Sequence, residues 1–104
     1  MKTAITASGN QVTANFDRRF GRAGWFCVYD EETKEVTFYE NDTLIANSGA
    51  GTKAAEKMIA MNIKKIISGD FGPKAKDLLD KFNIQLVILQ DDQLTVKNII
   101  ERLK

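Results

Sequence analysis

The stretch Ile66-Ile67-Ser68-Gly69-Asp70-Phe71-Gly72-Pro73-Lys74-Ala75-Lys76-Asp77-Leu78-Leu79-Asp80-Lys81-Phe82-Asn83-Ile84-Gln85-Leu86-Val87-Ile88-Leu89 decides the fold, because it reads as strand, helix, strand with little between them. Residues 64–68 supply a short β-branched run that ends at Gly69. Pro73 stands where a first helical residue is expected, since the N–H it lacks would be unpaired there. Ala75, Leu78, Leu79 and Phe82 then recur at i, i+3, i+4 and i+7, one apolar stripe. Residues 84–89 are almost continuously apolar, which predicts a strand buried on both faces. Two such strands joined by a helix pair in parallel through a right-handed crossover.

Working outward, Asp91-Asp92-Gln93 breaks the last strand. A C-terminal helix follows, with Thr95 as N-cap, Leu94 and Ile99 as a hydrophobic staple, and Val96, Ile99, Ile100 and Leu103 on its buried side. Toward the N-terminus, helical periodicity begins at Lys53 and carries Ala54, Ala55, Met58, Ile59 and Met61 or Asn62. Residues 41–48 form a polar connection before it. Residues 25–29 and 36–39 are aromatic and β-branched runs around Asp30-Glu31-Glu32-Thr33-Lys34, a hairpin with a loop of about five residues. Residues 12–24 have no clean period and read as a loop, and residues 3–7 as a first strand ending at the Ser8-Gly9-Asn10-Gln11 turn. The element order predicts an α/β domain over residues 1–104: a mixed five-stranded sheet of order 3-2-1-4-5 with strand 2 antiparallel and three helices, the ribonuclease H-like arrangement. Ligands in such sheets sit beyond the carboxyl ends of the parallel strands, here Ser8-Gly9, residues 69–72 and residues 90–95, with the glycine turn at 49–52 and the arginine loop at 18–24 within reach.

Composition removes several function classes. A net charge of +1 over 104 residues gives no field for generic nucleic-acid binding. No apolar run approaches the roughly 20 residues that span a bilayer, and Met1-Lys2-Thr3-Ala4-Ile5 begins a strand, not a signal peptide, so the chain reads as cytoplasmic. There is no histidine, hence neither the usual general base nor the commonest transition-metal ligand. The single cysteine, Cys27, alternates with Trp25 and Tyr29 on one strand face; it reads as a buried thiol and only secondarily as a metal ligand, which would need donors from the ligand or another subunit. Two-metal nuclease chemistry needs convergent carboxylates, but residues 3–7 contain none and only Asp70 stands at the end of the fourth strand. The expectation is a protein that binds and does not catalyse, as a monomer or weak homodimer.

Three loops carry what chemistry remains. Asn47-Ser48-Gly49-Ala50-Gly51-Thr52-Lys53-Ala54-Ala55 is a small-residue turn entering a helix whose first N–H groups have no internal partners, an anion-binding geometry. It matches the letters of a dinucleotide fingerprint, but no strand leads tightly into its first glycine. Arg18-Arg19-Phe20-Gly21-Arg22 sets three guanidinium groups around one aromatic, suited to oxyanions, phosphates or the sulfide faces of a charged cluster, with solvated surface charge as the plain alternative. Gly69-Asp70-Phe71-Gly72-Pro73 also satisfies the needs of an ordinary strand-to-helix turn.

Taken together, Arg19-Phe20-Gly21-Arg22-Ala23 before an aromatic strand, then Gly49-Ala50-Gly51-Thr52-Lys53-Ala54-Ala55, then Gly69-Asp70-Phe71-Gly72-Pro73-Lys74-Ala75, resemble the dinitrogenase iron-molybdenum cofactor-binding family over nearly the whole chain. The motifs are short; their order and spacing carry the resemblance. It implies a ribonuclease H-like fold and carriage of an iron-molybdenum or other molybdenum-sulfur cluster, as in nitrogen-fixation accessory proteins and small stand-alone proteins of anaerobes. It implies the cluster or a cofactor-assembly protein as partner. Matched residue by residue, it assigns cofactor binding to Arg19, Phe20, Gly21 and Arg22, to Gly49, Ala50, Gly51 and Thr52, and to Gly69, Asp70, Gly72 and Pro73. Many members carry a histidine or cysteine in the connection before the glycine turn, where residues 41–48 have neither, and a Gly-Thr-Val motif where this chain has Leu94-Thr95-Val96. The implied mode is non-covalent, through arginine and main-chain N–H groups. A protein-interaction or regulatory module without metal, and a small-anion or nucleotide sensor, are the alternatives.

Overall fold

The computed structural model of the chain describes residues 1–42, 49–91 and 93–104. Residues 43–48, most of the predicted connection and with it Asn47 and Ser48 of the glycine turn, and Asp92 of the last loop lie outside the described residues. Five strands, β1 (Lys2–Ala7), β2 (Trp25–Asp30), β3 (Val36–Glu40), β4 (Lys65–Ser68) and β5 (Gln85–Ile88), form one sheet of order β3-β2-β1-β4-β5. β1 pairs antiparallel with β2 and parallel with β4, β2 pairs antiparallel with β3, and β4 parallel with β5, as the element order predicted. Three helices, α1 (Ala50–Ala60), α2 (Pro73–Lys81) and α3 (Val96–Leu103), cover its two faces.

The period of two along each strand sorts the core into two layers. Ala4, Phe26, Val28 and Ile66 face α1 and α2, where they meet Ala54, Met58, Ala75 and Leu79. Ile5, Cys27, Tyr29 and Ile67 face α3, where they meet Val96, Ile99 and Ile100. Thr95 and Asn98 cap α3 reciprocally, each side chain accepting from the other's backbone N–H at 3.2 and 3.0 Å, and Leu94 and Ile99 share the same core layer.

Several expectations fail for physical reasons. The apolar run 84–89 does not give a strand buried on both faces: β5 has a single neighbour, its residues are half-buried or exposed, and Ile88 is 57% exposed. The doubly buried strand is β1, in the centre, despite its two threonines. Phe82 does not complete the α2 stripe. The helix stops at Lys81, Asn83 turns left-handed at φ 58°, and Ile84 takes the buried place, its N–H bonding the Leu79 carbonyl at 3.1 Å while the Asn83 N–H bonds that of Asp80. This is a Schellman ending with its apolar contact between Leu79 and Ile84. α1 ends the same way, with Asn62 at φ 61° and the Ile63 N–H on the Met58 carbonyl, so Asn62 is a cap and not part of the stripe. Finally, α1 begins at Ala50, three residues before its periodic pattern, which places Gly51 inside the helix.

The loop 12–24 is less free than its lack of period implies. Isolated bridges tie Phe16 to Ala7, Asn15 to Thr95 and Arg19 to Asp70, and Phe20–Arg22 form a 3₁₀ turn. At the opposite end of the sheet, Glu31 on the hairpin accepts from the Thr3 hydroxyl at 2.7 Å and pairs with Lys65 at 3.2 Å. The Thr3 hydroxyl, and then Lys65, hold this carboxyl below its ordinary value of 4.5. A depressed carboxyl contributes stability above its unfolded pKa that is lost as pH falls through the folded one. Between about pH 5 and pH 3 the urea midpoint should therefore fall more steeply in the wild type than in Glu31→Gln; parallel profiles would exclude the contact.

Candidate functional site

An open cleft of about 550 Å³ lies where the 3₁₀ turn meets the starts of α1 and α2. Arg19, Phe20, Gly21 and Arg22 line one side, Gly49, Ala50, Gly51 and Thr52 the second, and Asp70, Gly72 and Pro73 the third, joined by Phe71, Lys74 and Ala75. Three segments far apart in sequence thus share one cavity.

The approach of these segments is set by backbone packing. A Cβ on Gly21 would stand 2.8 Å from both the Cα and the N of Gly51, so the 3₁₀ turn lies directly on the first turn of α1. Phe20 is fully buried beneath, its ring 5.1 Å from that of Phe71 and 6.0 Å from that of Phe26. It ties the arginine turn to the α2 loop and belongs to the floor and core, not to the accessible wall. Asn41, buried, donates through Nδ2 to the carbonyls of Gly21 at 3.2 Å and Ala23 at 2.8 Å. In the sequence Asn41 stands in a polar connection, and a lone amide has no local signature for so distant a partner.

Among the described residues, neither helix start has a side-chain cap. Gly49 at φ 74° and Gly72 at φ 69°, ψ 152° occupy the N-cap positions, conformations that favour glycine, and neither first turn contains an acidic residue. An acid there would ordinarily stabilise the positive helix end. Instead α2 carries Lys74 at that end, a residue quoted in the third motif yet not assigned to the site; a cation where the dipole disfavours one was its available signal. The two first turns, Arg19, Arg22 and Lys74 give the cleft a positive character that Asp70 offsets in part. Arg19 is 68% exposed in its side chain and forks onto Asp17, with Nε 3.1 Å from Oδ1 and Nη2 3.0 Å from Oδ2. That hydrogen bond, and the charge of Asp17 with it, raise the guanidinium pKa further.

Other expected neighbours lie elsewhere. Gly69 is set back at the end of β4: its N–H bonds the Arg18 carbonyl at 3.0 Å, and a Cβ there would meet the Arg18 Cβ at 2.6 Å and the Leu89 carbonyl at 2.9 Å. Its need for glycine is the close passage of two chains, away from the cleft lining. Ser8 belongs to a separate polar hollow with Asp17, Arg18 and Arg19. Cys27 is buried in the layer facing α3, on the sheet face opposite Phe20 and Phe71, and burial pushes its thiol up to about 12. It is no ligand to anything in the cleft. Among the described residues, no group of three or more His, Cys, Asp or Glu is placed to hold a metal ion, and no helix is long and apolar enough to cross a membrane.

No curated protein sequence matches the chain. The apo form of the orange protein from Desulfovibrio gigas is 30% identical to it, superposes with a TM-score of 0.90, and is matched over 97% of this chain and 84% of its own. A Thermotoga protein of the DUF35 family, described as a candidate NifB protein, shares the fold at 24% identity and a TM-score of 0.81, over 96% of this chain and 84% of that one. All 104 residues, 1–104, match the family described as "Dinitrogenase iron-molybdenum cofactor", in agreement with the resemblance carried by the three loops. The chain therefore belongs to the dinitrogenase iron-molybdenum cofactor family.

Proposed function

We propose that the cleft holds an anionic molybdenum-sulfur or iron-molybdenum-sulfur cluster as non-covalent cargo, and that the protein carries it without turning it over. The observation behind this reading is the convergence of two uncapped, acid-free helix starts with Arg19, Arg22 and Lys74 on one open cavity. Main-chain N–H groups and guanidinium forks suit sulfide or oxo surfaces of a charged cluster. The donor set fits that mode and not coordination: the chain has no histidine, its thiol is buried on the other sheet face, and Asp70 is the one carboxylate lining the cleft among the described residues. The family supports a molybdenum-containing cargo and a place beside cofactor assembly.

Tetrathiomolybdate, a simple molybdenum-sulfur anion, is the direct probe. Anaerobic titration followed by visible absorbance should give saturable binding that Arg22→Ala and Lys74→Ala each weaken about tenfold, the scale of one charge-assisted hydrogen bond, at unchanged melting temperature. Absent saturation, or affinity indifferent to both substitutions, would exclude the reading. Equal affinity for phosphate would turn it into a small-anion sensor.

A further inference from the structure

Asp17 lies outside the cleft lining, yet it is the residue most firmly joined to Arg19. It is anchored twice to β1. Its N–H donates to the Thr6 carbonyl at 3.0 Å, and its own carbonyl accepts from the Thr6 hydroxyl. That hydroxyl is fully buried and stands 2.7 Å from the hydroxyl of Ser68, at the end of β4. The next peptide is fixed as well, the Arg18 carbonyl accepting from the Gly69 N–H at 3.0 Å. The loop is thus clamped to the carboxyl ends of both central parallel strands. From this base the carboxylate, in a side chain only 10% exposed, receives the Arg19 backbone N–H at 2.9 Å, Nε at 3.1 Å and Nη2 at 3.0 Å. Three of the five guanidinium N–H groups are not engaged by Asp17.

We propose that Asp17 is the positioning residue of the cleft: its anchored carboxylate presets the Arg19 guanidinium so that the unengaged donors meet an incoming anionic cluster. The inference rests on the anion-holding reading above for its ligand, but not for its geometry. An exposed arginine ordinarily loses rotamer freedom when it binds; here the two-point fork onto an anchored carboxylate already restricts that freedom, the general basis of preorganisation. The charge of Asp17 opposes an anion, so electrostatics alone and positioning make opposite predictions for its removal.

Asp17→Asn keeps the main-chain anchors and an acceptor for the Arg19 N–H while losing the charged fork. With tetrathiomolybdate as probe, it should bind about 3- to 10-fold more weakly than wild type, the ordering cost of one long side chain. In an Arg19→Ala background the same change should cause no weakening. Binding equal to or tighter than wild type in Asp17→Asn would overturn the proposal, as would equal weakening in both backgrounds. A second readout needs no ligand: the ¹⁵N-detected Arg19 Nε–H of the empty protein should be rigid and protected from exchange, and lose both properties in Asp17→Asn. An Nε–H as mobile in wild type as in that variant would overturn positioning by itself. If wild type takes up no tetrathiomolybdate while Arg19 is rigid, the cargo reading fails and the positioning stands.

Discussion

Phe20→Ala is expected to cost about 3–5 kcal/mol of folding free energy, the range for removing a fully buried phenylalanine from a packed core. Small domains hold only about 5–15 kcal/mol in total, so this one side chain accounts for a large share. The reason lies in its neighbours: the ring contacts Phe26 of β2 and Phe71 of the α2 loop, so its loss opens a void under two walls of the cleft at once. Urea unfolding followed by the fluorescence of Trp25, the only tryptophan, gives the measurement. Phe20→Leu, which keeps most of the volume, should lose less than about 2 kcal/mol. Wild-type stability in Phe20→Ala, coupled to lost ligand binding, would instead make Phe20 a contact residue and refute its place in the core.

The second large effect is an asymmetry between two glycines that touch. Gly21→Ala drives a methyl to 2.8 Å from the Gly51 Cα and N and 3.2 Å from the Ala50 carbonyl carbon, all main-chain atoms of a helix that cannot rotate aside. A cost of about 2–3 kcal/mol follows, lowering the melting temperature by about 10 °C or more in a domain of this size. Gly51→Ala meets only the Ala75 Cβ at 3.6 Å and the Phe71 carbonyl at 3.9 Å, ordinary contacts. It also exchanges glycine for the best helix former, worth up to about 1 kcal/mol. One methyl should therefore lower, and the other hold or raise, the melting temperature. Two melts of equal midpoint would mean that the 3₁₀ turn does not rest on α1.

These contacts also show what was legible in the chain. The β4-α2-β5 unit could be read because Pro73 and the Ala75, Leu78, Leu79 spacing are local signals, and strand order followed from connection rules. The start of α1 was hidden because Gly51 weakens the helical pattern at the place where close packing on Gly21 requires it. The edge position of β5 could not be inferred from its composition, since an apolar run does not reveal how many neighbours it will have. Asn62 and Asn83, each followed by isoleucine, are helix stops that could have been recognised. The letters of the arginine loop were visible; its shape depends on Thr6, Ser68 and Asn41, residues distant in sequence and featureless by themselves.

The placement of Cys27 behind the sheet has a further consequence for whatever occupies the cleft. Biological cargo is often discharged by protonating an imidazole or oxidising a thiolate. The chain has no imidazole, and its one thiol is sealed on the far side with its proton retained to about pH 12. Acidification toward pH 6 or a mild oxidant therefore finds no trigger of either kind in this pocket. For a cluster carried as proposed above, release would rest on spontaneous dissociation or on capture by a receiver with better ligands, so that residence time, more than affinity, would govern delivery.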